Sequence, residues 1–176
     1  DDDGALVLRN FLAPAAIESV QREGQGNQHL AYYTVGEHNI YLTRVDDCHV
    51  SDHPLNRLVS SSKGCITDDQ IPTGSALRTL YDDENFQRFL CSVLGESELH
   101  EYADPLSSIN LHYASDGQEL GWHFDNSSFA ITLMIQSPND GGIFEYVRDV
   151  RDADTGEMNF ELCGQVLDGE IPTEKL

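Results

Sequence analysis

The chain has 176 residues, 39% of them hydrophobic, and a net charge of −21 from 31 acidic against 10 basic residues. That length suits one domain with a real core, and such an acidic surface repels phosphate backbones and anionic membranes. Nucleic-acid partners are therefore not expected, and no apolar run approaches the roughly 18–20 residues of a membrane span.

Asp1-Asp2-Asp3 is acidic where a secretory leader is basic. Cys48, Cys65, Cys91 and Cys163 lack paired C-x-x-C spacing, so reduced thiols and a cytoplasmic setting are expected. Gly4 to Phe11 is a short apolar run that reads as a strand. Ala13-Pro14 then opens a helix, with proline in the first turn where its missing N–H costs nothing. Ala16, Ile17 and Val20 form its apolar stripe, and Gly24 is the expected stop. After a glycine-rich polar loop, Tyr32–Val35 and Asn39–Arg44 read as two strands with Gly36-Glu37 as the turn.

Asp46 to Pro54 (DDCHVSDHP) is a polar loop holding Cys48, His49, Asp52 and His53. The i,i+4 histidines have a zinc-like spacing, but Asp46-Asp47 before them and Pro54 after them argue against the helix that would make them converge. An active-site rim or a plain surface loop is the expectation. Residues 55–74 read as irregular, with Ser60-Ser61-Ser62 and Ile71-Pro72 as turn signals. Two helices follow, near Ser75–Tyr81 and over Asp83–Leu94. The second carries Phe86, Phe89, Leu90, Val93 and Leu94 at helical spacing, a stripe expected to be core, with Asp82 as N-cap and Gly95 as stop.

Leu99–Ala103 and Ser108–Ala114 are further strand candidates. Asp116-Gly117 is a hairpin-type turn leading into Glu119–Asp125; Phe129–Gln136 then reads as a buried strand and Ile143–Val147 as the next. Asp149–Glu157 is polar and turn-like, and Met158–Leu167 is weakly patterned. Short helices first and many antiparallel strands after predict an α+β, mainly β fold: a sandwich or barrel with helices on one face.

The chemistry concentrates in Gly121-Trp122-His123-Phe124-Asp125. On an extended strand, His123 and Asp125 point to the same face and can take two adjacent positions on a divalent metal. A third ligand would complete the two-His-one-carboxylate face that leaves positions open on Fe(II). The triplet alone fits a metal site or a hydrogen-bonded structural pair. Trp122 and Phe124 point the other way, toward a core.

The run from Asn110 to Asp125 (NLHYASDGQELGWHFD), then Phe129–Gln136, then Gly141–Tyr146 (GGIFEY), resembles the Fe(II)/2-oxoglutarate-dependent dioxygenases. The resemblance is to the group related to prolyl-4-hydroxylase-like enzymes, amino-acid hydroxylases and halogenases; Gly4–Ala13 (GALVLRNFLA) and Tyr102–Leu106 (YADPL) look similar to it as well. It implies a double-stranded β-helix (a cupin-like jelly roll) with N-terminal helices on one face, as a single domain over 1–176. It also implies Fe(II), 2-oxoglutarate and O2 as cofactor and cosubstrates, with His123 and Asp125 as metal ligands and catalytic residues. Asn110 and His112 are candidates for lining the cosubstrate cavity, or for a structural polar role. Asn126, Arg44 and Arg151 are substrate-binding candidates against surface roles.

The implied reaction is hydroxylation of a small polar metabolite, an amino acid or derivative, through an Fe(IV)-oxo species. In the related halogenases a Gly or Ala replaces the carboxylate and frees a position for chloride, so Asp125 implies hydroxylation rather than chlorination. The family pattern also has a distal His and then an Arg or Lys for 2-oxoglutarate. All seven histidines lie at or before His123 and no Arg follows Arg151, so that strand is expected beyond Leu176, and the domain as written to lack its C-terminal strands. The alternative is a non-catalytic jelly-roll binding domain with a partial metal site.

Overall fold

The computed structural model describes residues 5–104, 106–125, 127, 129–152 and 155–176. Helices and short antiparallel strands alternate along it. In chain order they are α1 (Pro14–Asn27), β1 (Tyr32–His38), β2 (Val59–Ile66), α2 (Ala76–Tyr81), α3 (Glu84–Leu94), β3 (Leu111–Tyr113), β4 (Glu145–Tyr146), α4 (Phe160–Leu167) and β5 (Glu174–Lys175). One sheet has the order β1-β2-β3 and the other pairs β4 with β5. This is a mixed helix-and-strand architecture with small antiparallel sheets. No helix among the described residues is long and apolar enough to cross a membrane.

The chain forms two compact units: residues 1–11, 35–62 and 117–176 in the first, residues 12–34 and 63–116 in the second. In the second, Pro14 opens α1 as expected, but the helix continues through Gly24 to Asn27. Gly24 is buried, and a Cβ there would stand 3.3 Å from Leu111 Cδ2. The Tyr113 hydroxyl donates to the Gly24 carbonyl at 2.6 Å. The glycine therefore serves close packing against β3 rather than termination. Buried Ser75 caps α2 by accepting from Leu77 N and donates its hydroxyl to Glu23 Oε1 at 2.7 Å.

The cap of α3 is Asp83, not Asp82: Asp83 Oδ1 accepts from Phe86 N at 2.8 Å, while Asp82 closes α2. Gly95 ends α3 in the left-handed conformation at φ 75°. The apolar stripe of α3 is only half covered, with Phe89 and Val93 exposed. Leu99–Ala103 forms no strand, and the strand expected over Ser108–Ala114 shortens to β3.

In the first unit the core is Ile40, Tyr41, Val150, Cys163 and Val166, with Trp122, Phe124, Val147, Met158 and Phe160 packed against it. Residues 5–11 form no ladder, and Asn10 sits in a left-handed turn at φ 57°. β1 runs straight through Gly36, and the turn falls after it, where the fully buried Asn39 organises residues 39–43. Asn39 Oδ1 accepts from Tyr41 N and Thr43 N, both at 3.1 Å; its Nδ2 donates to Thr43 O at 3.0 Å and to Leu55 O at 2.6 Å. A side chain that satisfies four backbone groups replaces the second expected strand.

Two elements go against the sequence reading more sharply. β2 occupies part of the stretch read as irregular, because it finds partners in β1 and β3; its serines also bond across to residues 119–121. α4 occupies the weakly patterned stretch, its first turn capped by Asn159 accepting from Leu162 N. Conversely, no strand is assigned over Phe129–Gln136, where Phe129, Ile131 and Met134 are exposed. Extended propensity alone makes no ladder without a neighbouring strand in register.

Candidate metal centre

The H-x-D segment is held on both sides by backbone. Ser61 bridges antiparallel to Leu120, Ser62 N donates to Glu119 O at 2.7 Å, and Phe124 N donates to Ile40 O at 2.9 Å. No ladder is assigned over residues 121–125 themselves, yet their side chains alternate between the core and the opposite face. Phe124 turns to the core, its ring 5.3 Å from that of Tyr41, and Trp122 packs there too. His123 and Asp125 therefore share the opposite face, with His123 Nε2 at 3.7 Å from Asp125 Oδ1.

The His123 ring is set by one bond: Nδ1 lies 2.7 Å from the Gly121 carbonyl oxygen. A carbonyl can only accept, so Nδ1 carries the proton, and in the neutral ring Nε2 keeps its lone pair. That is the form of a metal-ligating imidazole. The side chains are 33% and 57% exposed, so a small ion and its other ligands can reach both. Two donors at about 2.1 Å from a first-row ion and cis to each other stand about 3 Å apart; the observed pair is slightly wider. An imidazole nitrogen beside a carboxylate oxygen suits iron, zinc or manganese alike. Two donors fit; among the described residues no group of three His, Cys, Asp or Glu side chains converges on one point.

Arg151 stands beside this face. Its Nη2 donates to the backbone carbonyl of Asp125 at 3.3 Å, and its guanidinium carbon lies 4.3 Å from the Phe124 ring centroid. A cation–π seat of this kind holds the fork in place while leaving N–H groups for an incoming anion. Arg44 is exposed on the loop after the Asn39 turn, with no contact to His123, Asp125 or Arg151 among the described residues. Asn126 lies outside the described residues.

Asn110 and His112 belong to the second unit. Asn110 donates to Ser107 O at 3.2 Å and accepts from Cys65 Sγ at 3.6 Å. His112 pairs with Cys65 in the β2–β3 register, with Lys63 Nζ 3.4 Å from its Nε2. Its side chain keeps some solvent access. Desolvation by the atoms around the ring, and then the Lys63 charge, push its pKa below the ordinary imidazole value.

The 46–54 loop is turn-rich, as expected without a helix. His49 and His53 stack with ring centroids 4.0 Å apart rather than converging; His49 Nδ1 bonds Asp46 Oδ2 at 3.0 Å, and Phe160 packs on His53. Tyr41 and Cys163 are likewise structural. Burial first, and then the adjacent Cys163 thiol, raise the Tyr41 phenol far above its ordinary pKa, and it donates to Met158 O at 2.7 Å.

Sequence reasoning missed two neighbours of His123. His38, at the end of β1, presents its ring edge-on to His123 with centroids 5.9 Å apart. Ser61, read only as part of a turn, lies between them in the hydrogen-bond network. Neither carries a motif; a serine-rich stretch with strand length was the one available signal.

A family model described as halogenase D matches residues 59–168, a span that contains β2, the H-x-D face, Arg151 and α4. No curated protein and no solved structure gives a significant match to the chain.

Proposed function

The chain belongs to the halogenase D family, and on that premise we propose that it is an Fe(II)- and 2-oxoglutarate-dependent oxygenase that hydroxylates a small polar metabolite, an amino acid or a derivative of one. The observation that carries this is the shared face of His123 and Asp125, with the imidazole in its ligating tautomer. His123 Nε2 and an Asp125 carboxylate oxygen would hold the iron. Bound iron with 2-oxoglutarate and O2 supplies an oxidant able to cleave an aliphatic C–H bond. Asp125 decides the outcome proposed: a carboxylate takes the coordination position that a halide would need, so oxygen rather than chlorine is transferred.

The protein's own part is to hold and exclude. Trp122 and Phe124 back the face with apolar core and keep water from its rear. Arg151, seated over Phe124 beside Asp125, binds a carboxylate of the substrate or the cosubstrate. The small antiparallel sheets are read as parts of a jelly roll in a single catalytic domain.

The test supplies Fe(II), 2-oxoglutarate, O2 and chloride with a panel of free amino acids, and measures succinate together with the mass of the product. Substrate-dependent succinate and gain of one oxygen atom are expected, with both lost in His123→Ala and Asp125→Ala. A chlorinated product would overturn the hydroxylase assignment. One observation favours a second reading, a non-catalytic jelly-roll binding domain: the described residues bring only two donors together. Absence of turnover, with metal affinity unchanged in His123→Ala, would establish that reading instead.

A further inference from the structure

The hydrogen bonds behind His123 run in one determined direction. Asn39 O is an acceptor only and lies 3.0 Å from His38 Nδ1, so that nitrogen carries the proton. In the neutral ring His38 Nε2 is then an acceptor, and the Ser61 hydroxyl donates to it at 2.7 Å. The oxygen of Ser61, its proton committed to His38, accepts from Gly121 N–H at 2.9 Å. Gly121 in turn receives the His123 Nδ1 proton on its carbonyl at 2.7 Å. With both rings neutral, every donor in this chain has its acceptor.

Gly121 is held by shape as well as by bonds. A Cβ there would meet Ser60 O and Val59 Cγ2, both at 2.6 Å, so only glycine lets this segment lie against β2. Ser61 thus grips the one residue whose carbonyl sets the His123 ring. We propose that Ser61, with its own hydroxyl oriented by His38, is a positioning residue that fixes the ring orientation and tautomer of His123. This rests on His123 being a metal ligand only for its consequence in metal binding; the tautomer is a property of the metal-free protein. His38 touches no metal in this account. Both its ring nitrogens are engaged, by Ser61 and by Asn39.

The experiment has two arms on the full chain. In the first, the metal-free protein is labelled with 15N and its imidazoles are followed by long-range 1H–15N correlation at about pH 8, where a free imidazole is neutral. His123→Ala assigns the His123 signal. Wild type is expected to show the Nδ1–H tautomer; Ser61→Ala and His38→Ala should shift it toward a mixture, and Ser61→Thr, which keeps the hydroxyl, should restore it. An unchanged His123 signal in Ser61→Ala overturns the proposal, as does failure of Ser61→Thr to restore a signal that Ser61→Ala has moved.

In the second arm, Co(II) is titrated as a spectroscopic stand-in for Fe(II). Ser61→Ala should weaken binding about 10–100-fold, the usual cost of removing a group that orients a ligand, with recovery in Ser61→Thr. If His123→Ala binds Co(II) as wild type does, the metal assignment of His123 fails while the first arm still judges Ser61. If His123→Ala loses Co(II) and Ser61→Ala does not, the positioning role fails and the metal assignment stands.

Discussion

Gly121→Ala probes how the candidate metal face is attached to β2. Gly121 φ lies outside the left-handed region, so alanine meets no backbone prohibition there. The cost is overlap: its Cβ would stand 2.6 Å from Ser60 O and from Val59 Cγ2, and 2.9 Å from Val59 Cβ. Ordinary contact begins at 3.4 Å, so the two segments must separate by about 0.8 Å. Backbone oxygen cannot swing aside as a flexible side chain can. Overpacking of this kind costs about 1–3 kcal/mol, and the same displacement stretches the Ser61–Gly121 bond that holds the residue setting the His123 ring. Urea unfolding should show that loss, and Co(II) titration should show affinity reduced about tenfold or more. Gly36→Ala, on β1 with nothing within 4 Å of its added Cβ, is the control and should change neither by much. Gly121→Ala with wild-type stability and wild-type affinity would refute the close-approach reasoning.

Asn39→Ala leaves two backbone N–H groups and the Thr43 and Leu55 carbonyls without the fully buried amide that serves them. A destabilisation of about 2–4 kcal/mol is expected by chemical denaturation, and less than about 1 kcal/mol would contradict the role given to Asn39. Asp46 has its carboxyl pKa held low by the bond from Cys48 N and then by His49. A depressed folded pKa contributes stability that is complete above the unfolded value near 4 and is lost as pH falls through the lower folded value. Asp46→Asn should flatten that acid limb of the stability curve; an unaltered limb would sink the linkage. Cys48 is exposed, whereas Cys163 is buried and burial raises its thiol pKa. An aromatic disulfide reagent should therefore label Cys48 in the native protein and Cys163 only on unfolding, as peptide mapping would report.

The shared face of His123 and Asp125 was legible in the sequence because side chains two apart on extended backbone point the same way. The alternation that puts Trp122 and Phe124 in the core puts His123 and Asp125 together. The helices α2 and α3 were legible for the same kind of reason: Ser75, Asp83 and Gly95 act through local backbone geometry. What escaped depended on partners far along the chain. Ser60-Ser61-Ser62 has turn composition, and is strand because β2 pairs between β1 and β3, with the Ser61 and Ser62 hydroxyls accepting from Gly121 and Glu119. Gly24 has stop composition, and stays helical because Leu111 and Tyr113 lie against it. Phe129–Gln136 shows the converse, an apolar run with strand propensity and no strand assigned. His38 could not be connected to His123 at all from a separation of 85 residues without the Ser61 bridge.

The central claim, that His123 and Asp125 form an iron-binding face, is tested most directly by anaerobic Fe(II) titration of the wild-type chain beside His123→Ala and Asp125→Ala. Saturable, stoichiometric Fe(II) binding that is lost in His123→Ala and weakened at least tenfold in Asp125→Ala is the predicted result. Equal binding by all three proteins would contradict it.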